Sequence, residues 1–300
     1  MKKILACSVI VLSWLLVGCA THRGVEEFGV YRDAFQQARS ASDAILDRVA
    51  IAERQLWQYC SNFTELTKQT DFDPLQCERF HPIMTKFRVA DTSYLVTAGE
   101  PPQTAAIRRT MVAAGAYTEA LNGLASGQTS EAVSGQIGQL AGLAAAAAAA
   151  VSTGGATGSL ATTIAGINSD IATFKVPITT AFGFVSRDEL RDQLLKQGSD
   201  LKSALDGVKN ATPAMFKVLL TAEIVSVPPG SAVDDSRVKA DRLLLANWVE
   251  MLKASERALD AAIAAADSED TISVSSALTS AQTLTTLAQD VRKILADDAN

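Results

Sequence analysis

The feature that most constrains the fold is a regular stripe of apolar and small residues near the start of the chain. From Phe28 to Tyr59 these residues recur at alternating steps of three and four without a break. Such spacing averages 3.5 residues and keeps one face of a helix against a neighbouring helix. The stripe therefore predicts a long helix packed along another helix. Its members are Phe28, Tyr31, Phe35, Ala38, Ser42, Ile45, Val49, Ala52, Leu56 and Tyr59.

Charged residues flank this stripe and predict the opposite, solvated face of the same helix. Charged side chains are almost never fully buried unless they are paired. We therefore expect all of them to face water. They are Arg32, Asp33, Asp43, Asp47, Arg48, Glu53 and Arg54.

Two more helices with heptad spacing are predicted at the carboxyl end of the chain. The first carries Val238, Leu245, Leu252, Leu259 and Ala266, and the second carries Val274, Ala281, Ala288 and Leu295. Residues 267–270 form an acidic break between them, which suits the start of a helix. Because this connection is short, the two helices are predicted to be antiparallel neighbours.

Prolines divide the middle of the chain. Residues 60–102 read as a connection broken by four prolines, after which a helix resumes at Thr104. Residues 187–208 are amphipathic, Pro213 suits the start of another helix, and residues 228–230, Pro-Pro-Gly, end it. No segment shows strand-like alternation of useful length. The predicted fold is all-α, an elongated helical bundle with long coiled-coil-like antiparallel helices.

The amino-terminal segment has the layout of an export signal. Lys2 and Lys3 precede an apolar run over residues 4–17 that is too short to span a bilayer as a stable helix. The run ends in Leu16, Val17, Gly18 and Cys19, which resemble the lipobox of bacterial lipoproteins. This resemblance covers only the first twenty or so residues. It implies cleavage before Cys19 and lipidation of the Cys19 thiol.

The resemblance also implies a location in the cell. Two or more acyl chains anchor a protein stably, so the lipidated chain is expected to stay attached to a membrane. Residue 20 is Ala rather than Asp, which by the sorting rule of enteric Gram-negative bacteria favours the outer membrane, facing the periplasm. The predicted organisation is a signal peptide over residues 1–18, a lipidated tether over 19–25 and a helical bundle domain over 26–300.

Two cysteines remain once Cys7 leaves with the signal and Cys19 is lipidated. They are Cys60 and Cys77, both in the predicted connection over residues 60–102. An exported protein enters a compartment that permits oxidation, so we expect a disulfide between them. Two free buried thiols are the alternative.

Residues 132–169 are the most unusual stretch, because none of them is charged and residues 144–150 are all alanine. Alanine favours helix and the glycines that follow favour a turn, so a helical hairpin is expected. One interpretation is a hairpin buried in the bundle or against a partner. The other is a hairpin that inserts into a bilayer, resembling in general design those of helical pore-forming toxins. Alanine, glycine, serine and threonine gain little from hydrocarbon, which favours the first interpretation.

The sequence contains few residues or motifs that suggest catalysis, cofactor binding or metal binding. The chain holds only His22 and His81, and it lacks the common nucleophile, phosphate-binding and zinc-binding motifs. Its acidic clusters fall at predicted turns and helix ends, where carboxylates stabilise the helix dipole. They are Asp71/Asp73, Asp188/Glu189/Asp192, Asp234/Asp235 and Asp297/Asp298. We expect no catalytic residue, no cofactor and no metal.

Net charge and helix pattern together suggest a function. The charge of −6 argues against nucleic acid as a partner. Long patterned helices offer extended surfaces to an envelope protein or to a second copy of the chain. The expected function is a non-enzymatic, membrane-anchored scaffold or protein-binding module. The alternative is a membrane-active protein that inserts the hairpin of residues 132–169.

Overall fold

A computed structural model describes residues 25–66, 92–126, 198–228, 231–267 and 271–298, together with positions 128, 192 and 195. Within these ranges every regular element is a helix, and the all-α prediction is confirmed. The helices are α1 (Val25–Leu66), α2 (Thr92–Leu95), α3 (Pro102–Ala125), α4 (Gly198–Asn210), α5 (Thr212–Ser226), α6 (Asp235–Asp267) and α7 (Thr271–Asp298).

Helix α1 lies at the centre of the bundle. At a rise of 1.5 Å per residue it is about 60 Å long, and it packs against α3, α5, α6 and α7. Polar contacts give the directions of its neighbours. Gln36 bonds Glu119 near one end of α3, whereas Glu53 bonds Thr104 near the other, so α1 and α3 are antiparallel. Helix α6 is also antiparallel to α1, whereas α7 runs beside it in the same direction.

The predicted stripe on α1 lies in the middle of the hydrophobic core. All its members from Phe28 to Ala52 are buried, and Leu56 and Tyr59 are half-buried. Ser42 belongs to the stripe although it is polar, because its hydroxyl accepts a hydrogen bond from the buried indole of Trp248 on α6. One polar position is therefore used to join two apolar helices.

The carboxyl-terminal hairpin is also confirmed. Helices α6 and α7 make the most extensive contact in the bundle, and their heptad residues face it. Leu245, Leu252, Leu259, Ala281 and Ala288 are buried. At the edges of the stripes, Val238, Val274 and Leu295 are only half-buried, because fewer neighbours cover the outer turns.

The helices on either side of the predicted connection over residues 60–102 extend slightly further than the sequence pattern indicates. Helix α1 continues to Leu66, and α3 begins at Pro102 rather than Thr104. Proline is compatible with the first turn of a helix, where its missing N–H has no intrahelical acceptor. The double proline therefore starts α3 instead of delaying it.

Helices α4 and α5 form an almost continuous rod along α6. Pro213 lies in the first turn of α5, as predicted. The N–H of Met215 donates to Ala211 at 3.0 Å, and the N–H of Ala211 donates to Gly207 at 3.1 Å. The hydrogen-bonded chain thus bridges the junction between the two helices.

Several predictions lie outside the described residues. These are the signal peptide and lipobox with Leu16, Val17, Gly18 and Cys19, the tether, Cys77, and the uncharged segment over residues 132–169. Cys60 lies in the last turns of α1. The disulfide and the hairpin stay predictions.

Candidate functional site

The most distinctive polar group in the described chain is the Glu53 carboxylate on α1. The sequence pattern placed Glu53 on the solvated face, and this prediction is wrong, because only 6% of the residue is exposed. The reason is tertiary: the start of α3 packs over this position and supplies hydrogen-bond donors. Glu53 is therefore buried although the pattern of charges around it is typical of a solvent-exposed helix face.

Four donors converge on this carboxylate. The backbone N–H and the hydroxyl of Thr104 donate to Oε2 at 3.1 and 2.8 Å. The hydroxyl of Tyr94 donates to Oε1 at 3.2 Å, and the N–H of Gln103 approaches the same oxygen at 3.4 Å. Both oxygens of Glu53 are therefore engaged, and they link α1 to α2 and to the first turn of α3.

The start of α3 needs this acceptor because its own sequence supplies none. Pro101, at the N-cap position, makes no side-chain capping bond, and Pro102 has no N–H. Free N–H groups in the first turn of a helix require an acceptor from elsewhere. Glu53 meets that need from another helix, and a negative charge there also suits the helix dipole.

Two further contacts hold the segment between α2 and α3 against α1. The rings of Trp57 and Tyr94 stack with centroids 5.3 Å apart and planes 3° from parallel. The Arg54 guanidinium donates to the Gly99 carbonyl at 2.5 Å, while its buried Nε atom has no hydrogen-bond partner among the described residues. One carboxylate, one stacked aromatic pair and one arginine therefore hold this segment against α1.

Burial decides the proton affinity of Glu53. Loss of water raises the pKa of the carboxyl from 4.5 to about 7, although the hydrogen bonds from Thr104, Tyr94 and Gln103 act to lower it. The carboxyl therefore exchanges its proton near neutral pH. Because its two oxygens already receive four bonds, it presents no open position to a substrate. The arrangement suits binding of a proton and joining of helices rather than general acid or base catalysis.

An open groove of about 430 Å³ lies between α1 and α7. Small and polar side chains line it, with Asp33 as the single charged residue among them. The lining residues are Val30, Asp33, Ala34, Gln37, Ala281, Gln282, Thr285 and Thr286. It offers surface for contact rather than a cluster of reactive groups.

Among the acidic clusters singled out in the sequence, the pair Asp234/Asp235 is described and lies at the start of α6. Asp234 accepts from the N–H of Ser236 at 2.9 Å and from its hydroxyl at 2.6 Å. This is the helix-capping role that its position predicts. Asp297 and Asp298 lie at the end of α7. His22, His81, Asp71 and Asp73 lie outside the described residues.

Sequence reasoning missed Glu53 because its partners are about fifty positions away along the chain. One signal was available. A helix that starts with two prolines and no capping side chain leaves first-turn donors that another element must satisfy. That signal predicts the need for an acceptor, but it does not say which residue provides it.

Comparison with known proteins assigns no relationship. No family model, no curated protein and no solved structure matches this chain. In the ranges that the structure covers, none of the helices combines the length and apolar character needed to cross a membrane. In those same ranges, no three histidine, cysteine or acidic side chains lie together as a metal site requires.

Proposed function

We propose that this protein is a lipid-anchored, non-enzymatic helical scaffold or protein-binding module of the bacterial envelope, held at the outer membrane and facing the periplasm. The anchor is Cys19, with Leu16, Val17 and Gly18 as the recognition sequence before it. The partner is an envelope protein or a second copy of the chain. No cofactor, metal or nucleic acid has a part in this function.

The observation that carries the proposal is the direction in which the bundle extends from the predicted anchor. Helix α1 begins at Val25, six residues beyond the predicted lipid. The end of α3 lies beside the start of α1, since a side chain on Gly29 would contact Asn122. The start of α4 lies near Tyr117 and Ile263 at this same end. An anchor at Cys19 would therefore hold this end towards the bilayer and project the Glu53 end about 40 Å away.

The chemistry of the described residues supports a binding role over catalysis. The buried carboxylate of Glu53 is saturated by donors from its own chain. Among the better-buried ion pairs, Arg48 with Asp241 and Lys209 with Glu256 each join two helices. Such groups stabilise the relative placement of helices, which is what a rigid binding surface needs.

We also propose the Cys60–Cys77 disulfide as part of the exported protein. It would tie the end of α1 to the chain that follows. Alkylation of the full-length protein before and after reduction tests it directly. A gain of two alkylated cysteines on reduction would support the bond, and labelling of both without reduction would contradict it.

The anchor is tested by membrane fractionation and by mass spectrometry of the amino-terminal peptide, with Cys19→Ala as the comparison. We expect an acylated peptide beginning at Cys19, outer-membrane recovery of the wild type, and loss of both in the variant. An unmodified cysteine in a full-length chain would overturn the proposal.

The binding role is tested separately in cells. A photo-crosslinking residue is placed at Thr283, exposed on α7, and at Arg257, exposed on α6. A reproducible product at one position and not the other, lost in the Cys19→Ala background, supports a located and anchor-dependent interface. A product of twice the chain mass identifies self-association. Absence of products at exposed positions on every helix, or substrate turnover by the purified protein, would contradict the binding module.

A further inference from the structure

The junction between α1 and the start of α3 combines features that a permanent structural link does not need. A core contact could be apolar, yet this one places a carboxylate under the helix start and surrounds it with donors. The junction is thus kept closed by a few polar contacts around one ionisable group and by the Trp57–Tyr94 stack.

We propose that Glu53 is a proton-controlled latch, which fixes residues 92–104 against α1 when it is protonated and favours their release when it loses the proton. The closed state is the one described, with the Glu53, Trp57 and Arg54 contacts in place. In the open state, water reaches the carboxylate and the first turn of α3. This inference does not depend on the lipid anchor or on the identity of a partner.

The direction of the effect follows from linkage between protonation and opening. The carboxyl binds its proton more tightly when buried, at a pKa of about 7, than when hydrated, at 4.5. A state that binds protons more tightly is favoured as pH falls. Raising the pH from below 5 to above 7 should therefore increase the open fraction by a factor on the order of 100.

The closed geometry accommodates a neutral carboxyl group. Two of the four donors are hydroxyls, on Thr104 and Tyr94, and a hydroxyl can rotate to accept a hydrogen bond instead of donating one. The new O–H of Glu53 can then donate to either hydroxyl oxygen, while the N–H of Thr104 keeps its acceptor. The ionised carboxylate has no proton to donate, so it can only accept hydrogen bonds, and its full negative charge lies in a buried site.

The four donors and the start of α3 offset part of this cost, but burial outweighs them, and among the described residues no charged neighbour offsets the remainder. Within the part of the chain that the structure describes, Glu53 receives its hydrogen bonds from Tyr94, Gln103 and Thr104, of which only Tyr94 is titratable. The charged groups on the adjoining elements engage other partners. Arg54 donates to Gly99, Arg48 pairs with Asp241 of α6, Glu223 of α5 pairs with Arg237, and Arg108 of α3 pairs with Glu100, Asp43 and Asp47.

Release would also change the surface at this end of the bundle. It would separate Tyr94 from Trp57, both of which are more than 90% buried in the closed state. Leu95 and Val96, next in the chain, are already 54% and 52% exposed. Opening would therefore join buried aromatic surface to exposed aliphatic surface.

The test is hydrogen exchange of the full-length protein between pH 5 and 8.5, read in peptides that cover residues 99–107 and corrected for intrinsic exchange. We expect protection to fall with rising pH, with a midpoint near 7, while a peptide around Trp248 stays protected. Glu53→Gln should abolish this pH dependence in residues 99–107, since an amide does not titrate between pH 5 and 8.5. Glu256→Gln, a half-buried glutamate on α6, is the control and should behave as wild type.

Tyr94→Phe provides a second test if Glu53→Gln does not fold. This variant removes one hydrogen bond that lowers the pKa of Glu53, so the midpoint of local opening should move to higher pH. Unchanged protection of residues 99–107 across the pH range in the wild type would overturn the latch. So would a pH response that persists in Glu53→Gln, or a midpoint that Tyr94→Phe leaves in place.

Discussion

The indole Nε1 of Trp248 on α6 donates a hydrogen bond to the Ser42 hydroxyl on α1 at 3.0 Å, and both residues are fully buried. The same hydroxyl donates to the carbonyl of Ala38, one turn earlier in α1. A single serine thus satisfies the one polar atom of a large aromatic side chain. This bond specifies how α1 and α6 align, because sliding either helix by a turn would leave the indole N–H without an acceptor.

Ser42→Ala should lower the free energy of unfolding by about 1–3 kcal/mol, the cost of a buried donor left unsatisfied. Urea denaturation followed by circular dichroism measures it. Ser255→Ala is the matched control, because Ser255 is equally buried but its hydroxyl bonds only to Met251 within α6. Equal losses in the two variants would show that the Trp248 bond contributes nothing specific.

Gly99→Ala should destabilise the segment between α2 and α3. A Cβ atom on Gly99 would lie 2.7 Å from the Ser93 Cα and 3.2 Å from the Ser93 carbonyl oxygen, so the backbone must shift and the Arg54 bond is strained. We expect a loss of about 1–3 kcal/mol in unfolding free energy. Gly29→Ala should act in the opposite direction by up to about 1 kcal/mol, because its Cβ meets only ordinary contact inside α1.

Arg108 forms ion pairs with three carboxylates, those of Glu100, Asp43 and Asp47, at 2.6 to 2.7 Å. Arg108→Met should lower the unfolding free energy by about 1–2 kcal/mol, since the acids then repel one another at a partly buried site. Added salt should shrink the deficit because it screens that repulsion. Arg32→Met, which removes an exposed pair with Asp33, should change stability little at any salt concentration.

Glu53 should also shape the pH dependence of global stability. Its folded pKa of about 7 lies above its ordinary value of 4.5, so its favourable contribution is complete below pH 4.5 and is lost as pH rises through 7. Relative to Glu53→Gln, the wild type should lose on the order of 3 kcal/mol between pH 4.5 and 8. Denaturant midpoints at matched pH values measure the difference. Parallel profiles for the two proteins would rule out a raised folded pKa.

Much of the fold followed from spacing alone. The stripe on α1 and the heptads of α6 and α7 predicted which residues are buried, because a helix that covers one neighbour must repeat its apolar positions along that face. The antiparallel hairpin followed from the short acidic break. Helix boundaries followed less closely: the double proline predicts a helix start at Thr104, whereas α3 begins at Pro102, because proline is suited to the first turn.

The candidate site did not follow from spacing. Glu53, Arg48 and Arg54 belong to a pattern of charged residues that ordinarily faces water. The burial of Glu53 and the partial burial of the two arginines depend on contacts far along the chain. Asp241 on α6 covers Arg48, and the start of α3 covers Glu53. Local periodicity describes one helix at a time, so it carries no information on which charged position a third helix will cross.

By itself, the sequence determined the helical class, the buried stripes, the long paired helices and the ends of α5, because hydrophobic periodicity and proline act locally. The tertiary structure decided which polar groups are buried and with what consequence. Ser42 became the acceptor for Trp248, and Glu53 became the cap of α3 with a proton affinity near neutral. The physical reason is that desolvation and hydrogen bonding depend on what surrounds a group in space, and only the packed bundle brings those surroundings together.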